Sequence, residues 1–85
     1  MAEYNYKFTP KAFKRLTKLP RDIQRRIFAK LDYFCETNPM FFAEKLTDRQ
    51  SGEFRFRVGN YRIVFDFKGT MIIILDVGHR REIYR

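Results

Sequence analysis

The stretch Phe54-Arg55-Phe56-Arg57-Val58-Gly59-Asn60-Tyr61-Arg62-Ile63-Val64-Phe65 decides the architecture of this chain. Phe54, Phe56 and Val58 alternate with Arg55 and Arg57, the period of two expected of a strand with one apolar face. Gly59-Asn60 is a two-residue hairpin signal, after which Tyr61, Ile63, Phe65 and Phe67 alternate with Arg62, Val64 and Asp66. That turn sets Val58 against Tyr61, Arg57 against Arg62 and Phe56 against Ile63. One face of the ribbon is then apolar and ready to be covered. The other gathers Arg55, Arg57 and Arg62.

Toward the C-terminus, Lys68-Gly69 reads as a second tight turn and Thr70 to Val77 as a strongly β-branched strand. Carried through that turn, the register sets Leu75 beside Arg62. Gly78 breaks the strand, Gly78-His79-Arg80-Arg81 arrives at the arginine end of the sheet, and Glu82-Ile83-Tyr84 supplies a last short strand. Toward the N-terminus, residues 38 to 52 have no clean period, and Met40, Phe41, Phe42 and Leu46 fit either a turn of helix or a packed loop. Before them, Ile23, Ile27, Phe28, Leu31, Phe34 and Cys35 form a helical apolar stripe that Asn38-Pro39 stops. Ala12, Phe13, Leu16 and Leu19 form a shorter one, opened by Thr9-Pro10 as cap and first residue and closed by Pro20. Glu3 to Phe8 alternates as a strand. The order β-α-α-β-β-β with a short final strand describes an α+β domain over residues 1–85, a helical hairpin packed on a small, mainly antiparallel sheet.

Composition narrows the function. Eighty-five residues hold one small core. A content of 45% hydrophobic and 18% aromatic residues excludes a disordered chain. A single cysteine, Cys35, excludes an internal disulfide, and with the single His79 it leaves no set of soft metal ligands. Cys35 lies on the apolar stripe and reads as a small core residue. Met71 to Leu75 is far too short to span a bilayer, and residues 1–7 lack the apolar core of a signal peptide, so a cytoplasmic protein without a membrane partner is expected.

The net charge of +8 is uneven. Residues 1–30 hold nine Lys/Arg against two acids (+7), residues 31–52 two against four (−2), and residues 53–85 seven against four (+3). The first block reads most simply as solvated helix faces. The arginines of the last are placed differently, since like charges directly opposite on paired strands destabilise a sheet by up to about 1 kcal/mol. Arg57 opposite Arg62 therefore suits an anion site; the alternative is a solvated face with salt bridges to Glu53, Asp66 and Glu82.

For an RNA anion each residue type has a use. Guanidinium forks grip phosphate oxygens and neutralise charge on a phosphorane. Arginine stays protonated, so it is no base, whereas the His79 imidazole can take a proton near neutral pH. Tyr84 can stack on a base or share in proton transfer. A lone histidine beside a glycine turn is, equally, a common structural residue.

The segments Tyr6 to Pro10, Phe54 to Phe65 and Val77 to Tyr84, at this separation, resemble the RelE/ParE superfamily of type II toxin–antitoxin toxins over nearly the whole chain. The resemblance implies the RelE-like fold and, for the RelE branch, a cofactor-free and metal-independent endoribonuclease that cuts translated mRNA on the ribosome. The attacking group there is the RNA's own 2′-hydroxyl. Arg62 and Arg80 match the family's phosphate-holding arginines, and Tyr84 a C-terminal tyrosine that stacks on the substrate base. Arg55 and Arg57 fall where the best-known RelE enzymes carry a pair of lysines, one of them the proposed base; with arginine in both places His79 becomes the local substitute. Arg81 joins Arg55 and Arg57 as a substrate-binding cation. The implied partners are an acidic antitoxin, the ribosome with its mRNA, and operator DNA through the antitoxin complex. Two alternatives share the fold: a ParE-like inhibitor of DNA gyrase, and an inactive scaffold that only binds antitoxin and operator.

Overall fold

In the computed structural model, which describes residues 3–46 and 53–83, the hairpin of β3 (Phe54–Val58) and β4 (Tyr61–Lys68) forms in the register that the alternation predicts. Val58 pairs with Tyr61, Arg57 with Arg62 and Phe56 with Ile63. Gly59 carries the positive φ of 60° and Asn60 does not, the pattern of a type II′ turn with glycine first. The sheet has five strands in the order β1-β5-β4-β3-β2, with β1 (Asn5–Phe8) parallel to β5 (Met71–His79) and the other pairs antiparallel.

Helices α1 (Pro10–Thr17) and α2 (Arg21–Thr37) make the expected hairpin. Thr9 caps α1 by accepting the Ala12 N–H at 3.2 Å, with Pro10 just inside. Pro20 separates the helices, and the Gln24 side-chain amide donates to the Leu19 carbonyl at 2.8 Å, taking up a carbonyl that the turn leaves free. The apolar stripe of α2 lands on the sheet's aromatic row: Phe56 is fully buried, with ring centroids 4.2 Å from Phe65 and 4.6 Å from Phe34. Such a ring pair adds about 0.5–1.5 kcal/mol beyond area burial, enough to offset the repulsion of one arginine pair on the opposite face.

Several expectations need correction. The second turn is Gly69-Thr70, one residue later than expected, because Gly69 takes the positive φ of 61° at the first central position and leaves Lys68 paired with Met71. A bulge between Val64 and Phe65 then inserts Leu75 without a partner, so Arg62 lies opposite Gly78 and not beside Leu75. Gly78 does not break the strand, which runs from Met71 to His79. The segment expected as a last strand is instead the short helix α3 (Arg80–Ile83). Beyond Ile74 β1 no longer pairs with β5, β4 holds the other flank, and α1 packs against the strand. Within the aperiodic stretch, Asn38 caps a 3₁₀ turn at Pro39–Phe41, and Glu44–Lys45 pairs with Arg55 and Phe54 as a two-residue edge strand, β2. The remainder, 47–52, lies outside the described residues.

Candidate functional site

Arg62 stands at the centre of the polar face, only 8% exposed, between Arg57 on β3 and Gly78 on β5. Its Nη1 donates to the carbonyls of Gly59 at 2.9 Å and Tyr61 at 3.0 Å, so the hairpin turn itself holds the guanidinium. Nε and Nη2 have no partner among the described residues. Among the described residues no fully buried side-chain nitrogen lacks one, so both atoms keep some contact with solvent. A fixed fork with one edge free is suited to an anionic ligand.

Arg80 is brought to the same end by its backbone, whose N–H donates to the Asn60 carbonyl at 2.8 Å. The Arg80 and Arg81 side chains are exposed. Arg55 and Arg57 share the face as expected, and both meet an acid that no periodic signal placed there. Glu44 Oε1 accepts from Arg57 Nε at 2.7 Å and from Arg55 Nε at 3.2 Å. Burial pushes the Glu44 carboxyl upward, but the hydrogen bonds and charges of Arg55 and Arg57 outweigh it and hold the group below the usual carboxylate range. Glu44 is not among the acids Glu53, Asp66 and Glu82 that the salt-bridged alternative named.

His79 ends β5 opposite Tyr61, the two rings edge-on with centroids 5.5 Å apart. Its Nδ1 accepts the Arg81 N–H at 3.2 Å, which caps the first turn of α3. In this arrangement the ring hydrogen sits on Nε2, and a proton reaches Nδ1 only when the Arg81 amide lets go. His79 therefore has a structural task whatever else it does. Tyr84 lies outside the described residues.

Other chemistries find little footing among the described residues. No three His, Cys, Asp or Glu gather where they could hold a metal ion. The Cys35 thiol is pushed up by burial and, after that, by the charges of Asp32 and Glu36, which disfavours the nucleophilic thiolate. No helix is long and apolar enough to cross a membrane.

Residues 6–84 match the family model described as the ParE toxin of type II toxin-antitoxin system, parDE. Toxin RelG of Mycobacterium tuberculosis (strain ATCC 25618 / H37Rv) is 32% identical over 84 residues, covering 96% of this chain and 97% of the relative. A chain of the crystal structure of the toxin-antitoxin complex RelBE2 from Mycobacterium tuberculosis superposes with a TM-score of 0.81 at 28% identity, over 93% of this chain and 100% of that one. A chain of the RelB-RelE antitoxin-toxin complex from Methanococcus jannaschii superposes with a TM-score of 0.71 at 30% identity, over 91% and 93%.

Proposed function

On the premise that this chain belongs to the RelE/ParE family of type II toxins, we propose that it is an endoribonuclease cutting mRNA on the translating ribosome. The observation that carries this reading is the Arg62 guanidinium, held by the Gly59 and Tyr61 carbonyls with its other edge open. Burying that charge opposite Arg57 is costly, and an anion at the remaining edge would offset the cost. In the proposed reaction the ribose 2′-oxygen attacks the adjacent phosphorus and gives up its proton to a base. The bond from phosphorus to the 5′-oxygen breaks, and that oxygen takes a proton, leaving a 2′,3′-cyclic phosphate. Arg62 and Arg80 neutralise the charge that builds on the phosphorane, and Arg55, Arg57 and Arg81 hold the flanking strand. Tyr84 stacks on a base. His79 takes the proton once Nδ1 is released by Arg81. No metal is required by this route, and the cytoplasm, where ribosomes translate, is its setting.

The inhibiting partner is an acidic antitoxin, through whose complex operator DNA is bound. It would neutralise the +7 of residues 1–30 and cover the exposed Phe13, Tyr33, Met40 and Phe41. One finding favours a second reading, since the matching family model bears the ParE name and the gyrase inhibitors share the fold. Primer extension on translated mRNA, run beside a gyrase supercoiling assay, separates the two. Cuts within codons that vanish in Arg62→Ala support the ribonuclease; loss of supercoiling without such cuts supports the gyrase inhibitor.

A further inference from the structure

Gly78 sits in the interior of β5 with no positive φ, so its backbone does not demand glycine. A Cβ on residue 78 would stand 3.0 Å from Nη2 of Arg15 and 3.8 Å from Cδ1 of Ile83, close enough that the guanidinium would have to give by a few tenths of an ångström. Glycine inside a strand marks a place where another group comes close, and here that group is a guanidinium from α1. It enters the row formed by Arg57, Arg62 and the residue-78 position.

Arg15 is held firmly there. Its Nη1 lies 3.1 Å from Oδ1 and 3.2 Å from Oδ2 of Asp76, a carboxylate only 5% exposed whose Oδ1 also accepts the Val77 N–H at 2.9 Å. Lys11 Nζ stands 3.9 Å from the same carboxylate, so one buried anion faces two cations and the cluster keeps a net positive charge. The Nε and Nη2 of Arg15 have no partner among the described residues and open to solvent.

We propose that Arg15 is a phosphate-binding residue of the arginine site, taking a backbone phosphate adjacent to the one at Arg62, with Asp76 as its positioning residue. The inference rests on the reading of that site as one for single-stranded RNA. Gly78 is the opening that admits Arg15, and β5 aims it because α1 flanks the strand where β1 has ended.

The probe is a fluorescent single-stranded oligodeoxynucleotide, which lacks the 2′-hydroxyl and is not cut by the proposed route. Its affinity is measured over a series of salt concentrations, where each phosphate neutralised contributes about −0.7 to the slope of log K against log salt. Arg15→Ala should flatten the slope by about 0.7 and weaken binding. Gly78→Leu should do the same while leaving every charge in place, because a bulky side chain at 78 fills the space that Nη2 occupies. That variant also serves if Arg15→Ala fails to fold once Asp76 loses its partner. Lys68→Ala, at the far end of β4, removes a charge as well and should keep the wild-type slope. Folded Arg15→Ala or Gly78→Leu protein with the wild-type slope would overturn the proposal, as would a wild-type protein that does not bind the oligonucleotide. Flattened slopes in a toxin that cuts no mRNA on ribosomes would sink the ribonuclease reading and leave Arg15 as assigned.

Discussion

The Glu44 carboxylate accepts the Nε hydrogen of Arg57 at 2.7 Å, from a two-residue strand on the edge of the sheet. With Arg55 on the same oxygen at 3.2 Å, one half-buried acid occupies two of the cations proposed to hold the substrate. Under the proposed function Glu44 would occupy the place of a phosphate, orienting the two guanidiniums and competing for them.

Replacing Glu44 by Gln should therefore tighten binding of a single-stranded oligonucleotide by roughly twofold to fivefold, the size expected of a partly exposed charge pair. The depressed carboxyl also sets a pH dependence. Its contribution to stability is present above the ordinary carboxylate range near 4 and is lost as pH falls through the lower folded value. Carbon-detected NMR of the Glu44 carboxyl should show it titrating at lower pH in wild type than in Arg57→Ala. Equal midpoints would mean that the ion pair does not persist in solution.

Arg62→Ala and Arg80→Ala should each slow mRNA cleavage by about 10²–10³, the usual cost of removing one donor to developing charge. They should differ in stability. Arg62 is buried and holds two turn carbonyls, so its loss should cost on the order of 1–3 kcal/mol. Arg80 is exposed and should stay within about 0.5 kcal/mol of wild type. Urea melts beside growth assays decide it, and a fully active Arg62→Ala variant would end the phosphate assignment.

His79→Ala should do two separable things. Loss of the cap on α3 should cost about 0.5–2 kcal/mol, read in a denaturant melt. Loss of a proton acceptor should slow ribosome-dependent cleavage and remove a limb from the plot of rate against pH, with His79→Lys restoring part of the rate. If only the melt responds, His79 is a capping residue and the proton goes elsewhere.

Tyr6 donates to Asp32 at 2.9 Å and ties β1 to α2. Burial first, then that hydrogen bond and the Asp32 charge, push its phenol from 10.0 up to about 12. A folded value above the unfolded one favours the neutral phenol in the native state. The stabilisation is full below pH 10 and fades as pH rises toward about 12. Ultraviolet titration should show one tyrosine ionising late, and Asp32→Asn should bring it down. A late step that survives Tyr6→Phe would assign it to another residue.

Much of this protein was determined by the sequence alone, because alternation and turn chemistry are local. The β3–β4 hairpin with its Arg57–Arg62 pairing, the Thr9-Pro10 start of α1 and the Pro20 break between the helices all follow from spacing within one element or across one tight turn. Tertiary structure decided what depends on two elements meeting. The later turn at Gly69 and the bulge beside Val64 together moved Gly78 opposite Arg62, the turn by two residues and the bulge by one. Glu44 reaches Arg55 and Arg57 through a pairing of two residues, too short to leave any period. Arg15 looked like one more solvated charge on a basic helix; only the packing of α1 along the uncovered flank of β5 brought it to Asp76 and into the space above Gly78.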